Sequence, residues 1–415
     1  MKTVSKKWNA VASSLVFAVA ALLSVAVVPA AASSGGQGAF VSELWSEAKA
    51  RGIPRDVFDD ALGNFELSPR IMELTKEQPE TVSTVKDYVE KRVSAQRIET
   101  GRIRLAEWVA ELGRIEKAYG VPAEVIVSIW GIETNYGGFV GGSNVVQALA
   151  TLTHEGYRGK YFRGELMTAL EILRDGHVRP EQMVGSWAGA MGQTQFMPSS
   201  FVTYAVDFSG DGRADIWNTI PDALASSANY LKQNGWRHGE AWGYEVKLPA
   251  DFDYAKAWTL DRTSLREWQR IGVERADGKR FPRSADPARF FLPAGATGPA
   301  FLLLRNFDVI KRYNNSDSYA LSVAHLADQI AGGQPFLSEW PTGVLPLSAS
   351  ERRELQALLV ERGFDVGEID GRIGQLTRQA IARFQRQQNM RPDAFPTRRL
   401  LQQLRASAQN ALFVE

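Results

Sequence analysis

A basic start and a long apolar run, in a chain with no cysteine, set the terms on which this protein must fold. Lys2, Lys6 and Lys7 precede an apolar stretch over residues 11–28 rich in Ala and Val, and Ala30, Ala31 and Ala32 offer a small-residue cleavage site. This is the pattern of a secretory signal peptide over residues 1–32. An uncleaved anchor helix is the alternative, since the run approaches the length of a membrane span, but the small residues favour cleavage. No cysteine follows, so lipid attachment at a Cys is impossible, and the processed chain is expected to be soluble, without a stable membrane anchor. No disulfide can brace it either; stability must come from a packed core or a bound ion.

A core is within reach. The chain has 415 residues, enough for two or three domains, with 44% hydrophobic and 23% charged residues, a balance that excludes a disordered, collagen-like or multi-span membrane protein. Lys plus Arg number 48 against 47 Asp plus Glu, and removal of residues 1–32 takes three lysines and no acid, so no overall field invites nucleic acid. The absence of cysteine removes thiol nucleophiles and thiolate metal sites. The four histidines, His154, His177, His238 and His325, show no HExxH or GxSxG context, which argues against zinc hydrolase and Ser-His-Asp chemistry.

Composition divides the rest. Residues 33–38 read as a Ser/Gly linker, residues 39–332 as one large Trp-rich domain, and residues 333–346, with their Gly and Pro breakers, as a second linker. Residues 347–404 form a compositionally distinct end: between Leu345 and Arg405 there are 11 Arg, no Lys and 7 acids, a solvated surface or a face for an anionic polymer. In the large domain a helix is expected from Pro122, at the first helical position, to the breakers Gly137 and Gly138. Further helices are expected over residues 223–233 and 318–330, and short strands within 241–248 and 289–304. The fold class is therefore mainly α (α+β), a helical domain with a small β portion followed by a small helical domain.

Glu133 is the candidate proton-transfer group. Ile126, Ile129 and Trp130 stand seven, four and three residues before it, so its carboxyl lies on the apolar face of the helix. Burial disfavours the carboxylate and raises the pKa toward the range a general acid needs near neutrality. A buried Glu satisfied by a backbone or Arg partner is the plainer reading of the same position. In residues 185–200, Ala188, Gly189, Ala190 and Gly192 allow close backbone approach, while Ser186, Gln193 and Gln195 offer neutral hydrogen-bonding groups among Trp187 and Phe196. That suits a sugar, and suits a tight helix-packing segment equally well. A third pattern runs from Asp207 to Asp215. Asp207, Ser209, Asp211 and Asp215 fall at positions 1, 3, 5 and 9 of an EF-hand-like loop, with Gly212 at 6 and the Arg213 carbonyl at 7. Position 12 is Asn218, so the ligand set is incomplete unless a later acid closes it; an Asp/Gly turn without metal is the alternative.

Together, the Gly-Ile-Glu-Thr-Asn-Tyr-Gly run at 131–137, the segment 186–200, the loop from Asp207 and the Arg-Tyr-Asn-Asn-Ser run at 312–316 resemble the lytic murein transglycosylases of the membrane-bound B type, glycoside hydrolase family 103, over roughly residues 40–332. The resemblance implies a lysozyme-like fold and cleavage of the β-1,4 bond between N-acetylmuramic acid and N-acetylglucosamine in the periplasm. It implies that Glu133 is the catalytic acid/base, that Ser186, Gln195, Tyr230, Tyr313, Asn314 and Tyr319 line the glycan groove, and that Asp222 closes a structural calcium site. No cofactor is required for the chemistry. The chain departs from the family at Gln193-Thr194, where Tyr-Gly is frequent, and in being a soluble form of a family that includes lipoproteins. Residues 347–404, with Leu355 to Phe364 and Ile369 to Gln385, are similar to the small three-helix peptidoglycan-binding domain of cell-wall hydrolases, and Ala380, Ile381 and Phe384 fall at helical core spacing.

A hydrolysing glycosidase commonly needs a second carboxylate, and neither Glu155 nor Glu165 makes a convincing partner for Glu133. The lone acid is consistent with what the resemblance implies: Glu133 protonates the glycosidic oxygen, then deprotonates the 6-hydroxyl that attacks C1, leaving a 1,6-anhydromuramic end. A hydrolytic muramidase of the same fold and a noncatalytic wall-binding protein are the other readings. The expected partners are peptidoglycan glycan strands, with other cell-wall enzymes as candidates and no nucleic acid.

Overall fold

The computed structural model describes residues 34–76, 83–260 and 262–412; the expected signal peptide over residues 1–32 lies outside them. No helix among the described residues is long and apolar enough to cross a membrane.

Two helical cores lie side by side. The first gathers helices Ser34–Ala50, Arg55–Leu62, Pro69–Lys76, Val145–His154, Lys160–Arg174 and Pro198–Tyr204 around Leu44, Phe58, Leu149, Leu166 and Phe196. The second gathers Val85–Arg92, Ala95–Glu107, Val109–Tyr119, Ala123–Thr134, Ile220–Gln233, Arg305–Tyr313 and Asp317–Ile330 around Ile126, Ile129, Leu224, Phe307 and Leu326. Tyr230 and Tyr313 pack against both cores, so they mark the seam. The residues expected as a linker, 33–38, are already helical from Ser34. Leu44 and Ala48 of that helix are fully buried, and this packing outweighs the weak helix propensity of its glycines.

Besides a short antiparallel pairing of Ser143–Asn144 with Val184–Gly185, the β portion is an antiparallel sheet of five strands in the order Thr263–Ser264, Pro287–Phe291, Ala300–Leu303, Gly243–Lys247, Glu274–Arg275. Its central pairing sets Gly243 opposite Leu303 and Val246 opposite Ala300, and Trp268, Leu265 and Phe290 pack with it into a third core. The strands expected within 241–248 and 289–304 fall here, the second region dividing into two strands because Gly295 to Thr297 form a 3-10 turn between them.

At the C-terminus, helices Ala349–Val360, Gln375–Gln387 and Arg398–Leu412 enclose Leu355, Leu359, Ile381, Phe384, Leu400 and Leu404. Ser348 opens the first of them with a reciprocal cap: its hydroxyl accepts from the Glu351 amide, whose carboxylate accepts from the Ser348 amide. The preceding connection does not swing free. The carboxylate of Glu245 accepts the amides of Leu337 (2.8 Å) and Ser338 (2.7 Å), and Phe336 stacks on His325 with ring centroids 3.8 Å apart.

The helix that carries Glu133, Ala123–Thr134, is apolar all round and buried on nearly every side, as such a sequence requires. Pro122 stands one position earlier than expected, at the N-cap. The far end is not terminated by Gly137 and Gly138. Asn135 and Tyr136 turn the chain with φ of 53° and 60°, and Asn is among the few side chains that tolerate this region. Tyr136 is held there by its hydroxyl, which donates to the Arg97 carbonyl at 2.7 Å, and by an edge-on contact with Trp130. Gly131 makes the room: a Cβ there would lie 2.6 Å from the Tyr136 ring. Gly131→Ala should therefore cost about 1–3 kcal/mol through overpacking, read as a lower urea midpoint; an unchanged midpoint would show that the helix end is free to shift.

Candidate active site

Glu133 lies on the last turn of its helix, facing the helix Asp317–Ile330. The Tyr319 hydroxyl donates to Glu133 Oε1 at 2.6 Å, and Ser316 fixes the start of the tyrosine's own helix by accepting the Tyr319 amide at 3.3 Å. Burial pushes the Glu133 carboxyl up to about 7, while the Tyr319 hydrogen bond and the charge of Arg92 pull the other way. The residue nevertheless keeps part of its surface open. A carboxyl enclosed enough to hold its proton near neutrality, yet reachable, is what proton donation to an external oxygen demands.

Sequence reasoning did not single out Arg92. Its guanidinium donates to the Ile132 carbonyl at 3.2 Å and lies 5.4 Å from the Tyr88 ring centre, and its charge reaches Glu133. It is 41 positions upstream in an unremarkable charged helix, so no local pattern points to it. The alternative of a Glu neutralised by an Arg is thus met only in part, because Arg92 acts on Glu133 through its charge while its guanidinium donates to the Ile132 carbonyl.

The segment 185–200 folds into two tight turns bridged at Gly185–Met191 and Met191–Phe196. Ser186 serves the first, its hydroxyl accepting from the Ala190 amide at 3.0 Å. Gln195, at φ 54°, donates to the carbonyls of Val140 (2.9 Å) and Gly192 (3.0 Å). Gln193 locks the segment to the glutamate helix: its Oε1 accepts from Trp130 Nε1 at 2.9 Å, its Nε2 donates to the Trp217 carbonyl at 3.0 Å, and its own carbonyl accepts from Thr134 Oγ1 at 2.7 Å. Gly137 leaves space for that amide, since a Cβ there would lie 2.4 Å from Gln193 Oε1. Of the two candidate sugar-binding amides, Gln193 is therefore committed to the fold.

Tyrosines line the seam. Tyr313 donates to the Thr194 carbonyl at 2.8 Å and stacks on Tyr319, ring centroids 6.5 Å apart at 15°. Tyr230 packs on Tyr313 with centroids 4.8 Å apart and donates to the Arg312 carbonyl at 2.7 Å. Asn314 follows on the exposed end of the helix Arg305–Tyr313. Glu133, Tyr319, Tyr313 and Tyr230 are thus brought together, with Gln193 and Thr194 beside them, whereas the side chains of Ser186 and Gln195 bond within their own turns and to the adjacent loop.

No second carboxylate bears on Glu133 among the described residues. Glu165 is fully engaged elsewhere, accepting from the Ser199 amide (2.9 Å) and hydroxyl (2.7 Å), and Glu155 pairs with His154.

The expected metal loop lies beyond this segment. One oxygen from each of Asp207, Asp211 and Asp222 lies within 4.8 Å of the others. Asp222 is fully buried and accepts the amides of Phe208, Ser209 and Asp215, so it closes the loop from the start of the helix Ile220–Gln233. Asp215 and Asn218 face one another instead: Asp215 accepts the Trp217 and Asn218 amides and the Asn218 side chain. Ser209 donates its hydroxyl to Asp207, and Arg213 is exposed. Three converging carboxylates fit a hard divalent cation, since their mutual repulsion is relieved by an ion with oxygen preference.

Residues 36–328 match the family model of the transglycosylase SLT domain. The chain belongs to that family. Residues 348–404 match the model of a peptidoglycan binding domain. Membrane-bound lytic murein transglycosylase B of Escherichia coli K12 is 36% identical over 250 residues, 59% of this chain and 66% of that protein. Among solved structures, SltB3 of Pseudomonas aeruginosa in complex with NAG-anhNAM-pentapeptide is 45% identical with a TM-score of 0.85, covering 89% of this chain and 99% of that one. Escherichia coli Slt35 in complex with calcium is 30% identical with a TM-score of 0.59, over 71% of this chain and 92% of that one. The lysozyme-like fold class and the transglycosylase family expected from sequence are those of these relatives.

The raised Glu133 carboxyl has a consequence for stability. A folded pKa of about 7 against an ordinary 4.5 means that the folded state holds the extra proton, so this contribution is fully present below pH 4.5 and is lost as pH rises through about 7. Glu133→Gln removes the ionisation. Its melting temperature should match the wild type near pH 4.5 and exceed it at pH 8; equal melting curves at both pH values would place Glu133 in ordinary solvent.

Proposed function

We propose that this protein is a lytic transglycosylase that cleaves the β-1,4 bond between N-acetylmuramic acid and N-acetylglucosamine and leaves 1,6-anhydromuramic ends, with Glu133 as the single acid/base. The observation that carries this reading is the isolated, half-buried carboxyl near neutrality, held on one oxygen by Tyr319. Protonated Glu133 donates to the glycosidic O4, the C1–O4 bond breaks, and N-acetylglucosamine leaves with the proton. Positive charge at C1 is stabilised by the muramoyl N-acetyl group. The carboxylate then takes the proton of the 6-hydroxyl as O6 bonds to C1. One glycosidic bond is exchanged for another, water is not consumed, and Glu133 ends protonated as it began. Tyr319 keeps one carboxyl oxygen occupied, so the other faces the substrate.

Tyr230, Tyr313 and Asn314 form the groove wall at the seam, and Ser186 and Gln195 shape the turn beside it. The C-terminal module binds the glycan polymer, as its family match supports. The chain is exported, processed at the end of residues 1–32, and works in the periplasm without a lipid anchor. Glu133→Gln should abolish release of anhydromuropeptides from sacculi while leaving sacculus binding intact, as mass spectrometry and a pull-down would read. Reducing ends in the wild-type digest would instead make it a hydrolase, and substantial turnover by the variant would move the acid elsewhere.

Asp207, Asp211 and Asp222 would hold a structural calcium ion, with Ser209, the Arg213 carbonyl and Asp215 the further oxygens that the loop pattern offers; the convergence of three acids supports this. The ion supplies charge compensation and takes no part in proton transfer. Millimolar Ca²⁺ added to chelated protein should raise its melting temperature, and Asp207→Ala should remove the rise; an unchanged wild-type curve would mean that the loop takes no ion.

A further inference from the structure

Glu133 sits on the last turn of its helix, where the backbone carbonyls have no following turn to bond to. The angle at which its carboxyl leaves the helix must therefore be set by groups outside that helix. Two residues flank Glu133 on this turn. Trp130 and Thr134, four positions apart, share one face of the helix, and both are buried. Each donates a hydrogen bond to the same residue: Trp130 Nε1 reaches Gln193 Oε1 at 2.9 Å, and Thr134 Oγ1 reaches the Gln193 carbonyl at 2.7 Å.

Gln193 is held in turn from its far side. Its backbone amide donates to the Ile216 carbonyl at 2.9 Å and its Nε2 to the Trp217 carbonyl at 3.0 Å. The side-chain amide cannot turn over, because an indole N–H only donates and a peptide carbonyl only accepts. Trp217 is itself buried and anchored, its Nε1 donating to the Val184 carbonyl at 3.1 Å. All four polar groups of Gln193 are thus engaged, two with the glutamate helix and two with residues 216–217. The next carbonyl along, that of Thr194, accepts from the Tyr313 hydroxyl at 2.8 Å, and the Tyr313 ring stacks on Tyr319. Residues 193–194 therefore contact both sides of the Tyr319–Glu133 hydrogen bond: the glutamate's helix directly, and the tyrosine through Tyr313.

We propose that Gln193 is a positioning residue for Glu133, gripping the last turn of the helix at Trp130 and Thr134 so that the carboxyl is presented to Tyr319 on one oxygen and to the substrate on the other. A single bond would leave the turn free to rotate about the helix axis; two bonds, at positions four apart, do not. Thr134 Oγ1 also accepts the Gly137 amide at 3.0 Å, which joins the grip to the left-handed turn that ends the helix. Release of either point lets the carboxyl swing, and small displacements of a reacting group cost rate steeply while the groove keeps its affinity. This inference rests on Glu133 being the acid/base, and the experiment separates the two.

The full chain is compared with Gln193→Leu, Thr134→Val, Thr134→Ser, the Gln193→Leu/Thr134→Val double variant and Glu133→Gln, on a short soluble muroglycan and on sacculi, well below every melting transition. Gln193→Leu removes both side-chain bonds at similar volume, and Thr134→Val removes the second point of the grip. Each should lower kcat about tenfold, on the scale of a slightly misplaced reacting group, with KM and sacculus retention unchanged. Thr134→Ser, which keeps the hydroxyl, should retain most of the wild-type kcat. The double variant should be no worse than the poorer single one, because both release one constraint. A lowered melting temperature with unchanged kcat would make Gln193 a support of the fold alone and overturn its positioning role. A loss expressed in KM, a serine variant as poor as the valine one, or losses that multiply in the double variant would overturn it as well. If Gln193→Leu does not fold, the two Thr134 variants decide the same question. An active Glu133→Gln would instead overturn the reading beneath it.

Discussion

The hydrogen bond from Tyr319 to Glu133 is the interaction around which the catalytic domain is arranged. A carboxyl placed in a helical core would simply become neutral and inert, and one on the surface would be fully ionised at neutral pH. Here burial raises it to about 7 while a single phenol and a nearby guanidinium keep it from rising further. To hold that balance, two helices far apart in sequence must be fixed relative to each other. The buried helix Ala123–Thr134 is fixed by the Tyr136 turn and the Gln193 lock, and the tyrosine's helix by its Ser316 cap and its charged start at Asp317. The tyrosines of the seam then extend this fixed point across the two cores, since Tyr313 bonds to the Thr194 backbone on one side and stacks on Tyr319 on the other.

Much of this was legible in the chain. The carboxyl at 133 could be placed on an apolar helix because isoleucines and a tryptophan precede it at helical spacing, and the alternating stretches after residue 241 gave the sheet its location. The end of the glutamate helix was misread for a physical reason. Gly137 and Gly138 look like terminators, yet the left-handed residues are Asn135 and Tyr136, and the glycines of the motif serve a different purpose: Gly131 clears space for the Tyr136 ring that folds back from the same turn, and Gly137 for the Gln193 amide from a distant segment. A close approach between distant segments leaves no periodic trace. Arg92 escaped notice for the same reason, and the Ser/Gly stretch at 33–38 misled because tertiary burial of Leu44 and Ala48 decides its helix.

The acidic loop shows the complementary case, in which spacing carries nearly all the information. Asp207 and Asp211 follow from the loop pattern, but the third acid is chosen by topology. Asn218 stands at the position where a closing ligand would be counted, and its side chain donates to Asp215. Asp222 reaches the cluster from the first turn of a buried helix, where its carboxylate accepts three backbone amides of the loop. The same helix ends near Tyr230. The acidic loop and the seam thus share one helix, with the acids at its first turn and Tyr230 near its last.

The connection between the two domains was the hardest feature to read. Glycines and prolines over residues 333–346 suggest a flexible tether, and a tether needs nothing more than length to raise effective concentration. The fold uses the segment differently. Phe336 is stacked on a buried histidine, Glu245 pins two successive amides, and Asp393 seats the module against the turn at Gly295. The stacking joins residues 11 positions apart and the hydrogen bonds residues 92 to 97 apart, so composition alone could only register the break in helical pattern. Once the module is seated, its arginines cannot be counted as solvated charge alone: two lie over aromatic rings of the β portion, and one of these lines a cleft with the acid that begins the tyrosine's helix. Part of the cationic excess of this segment thus belongs to the packing between module and domain and is not free surface charge.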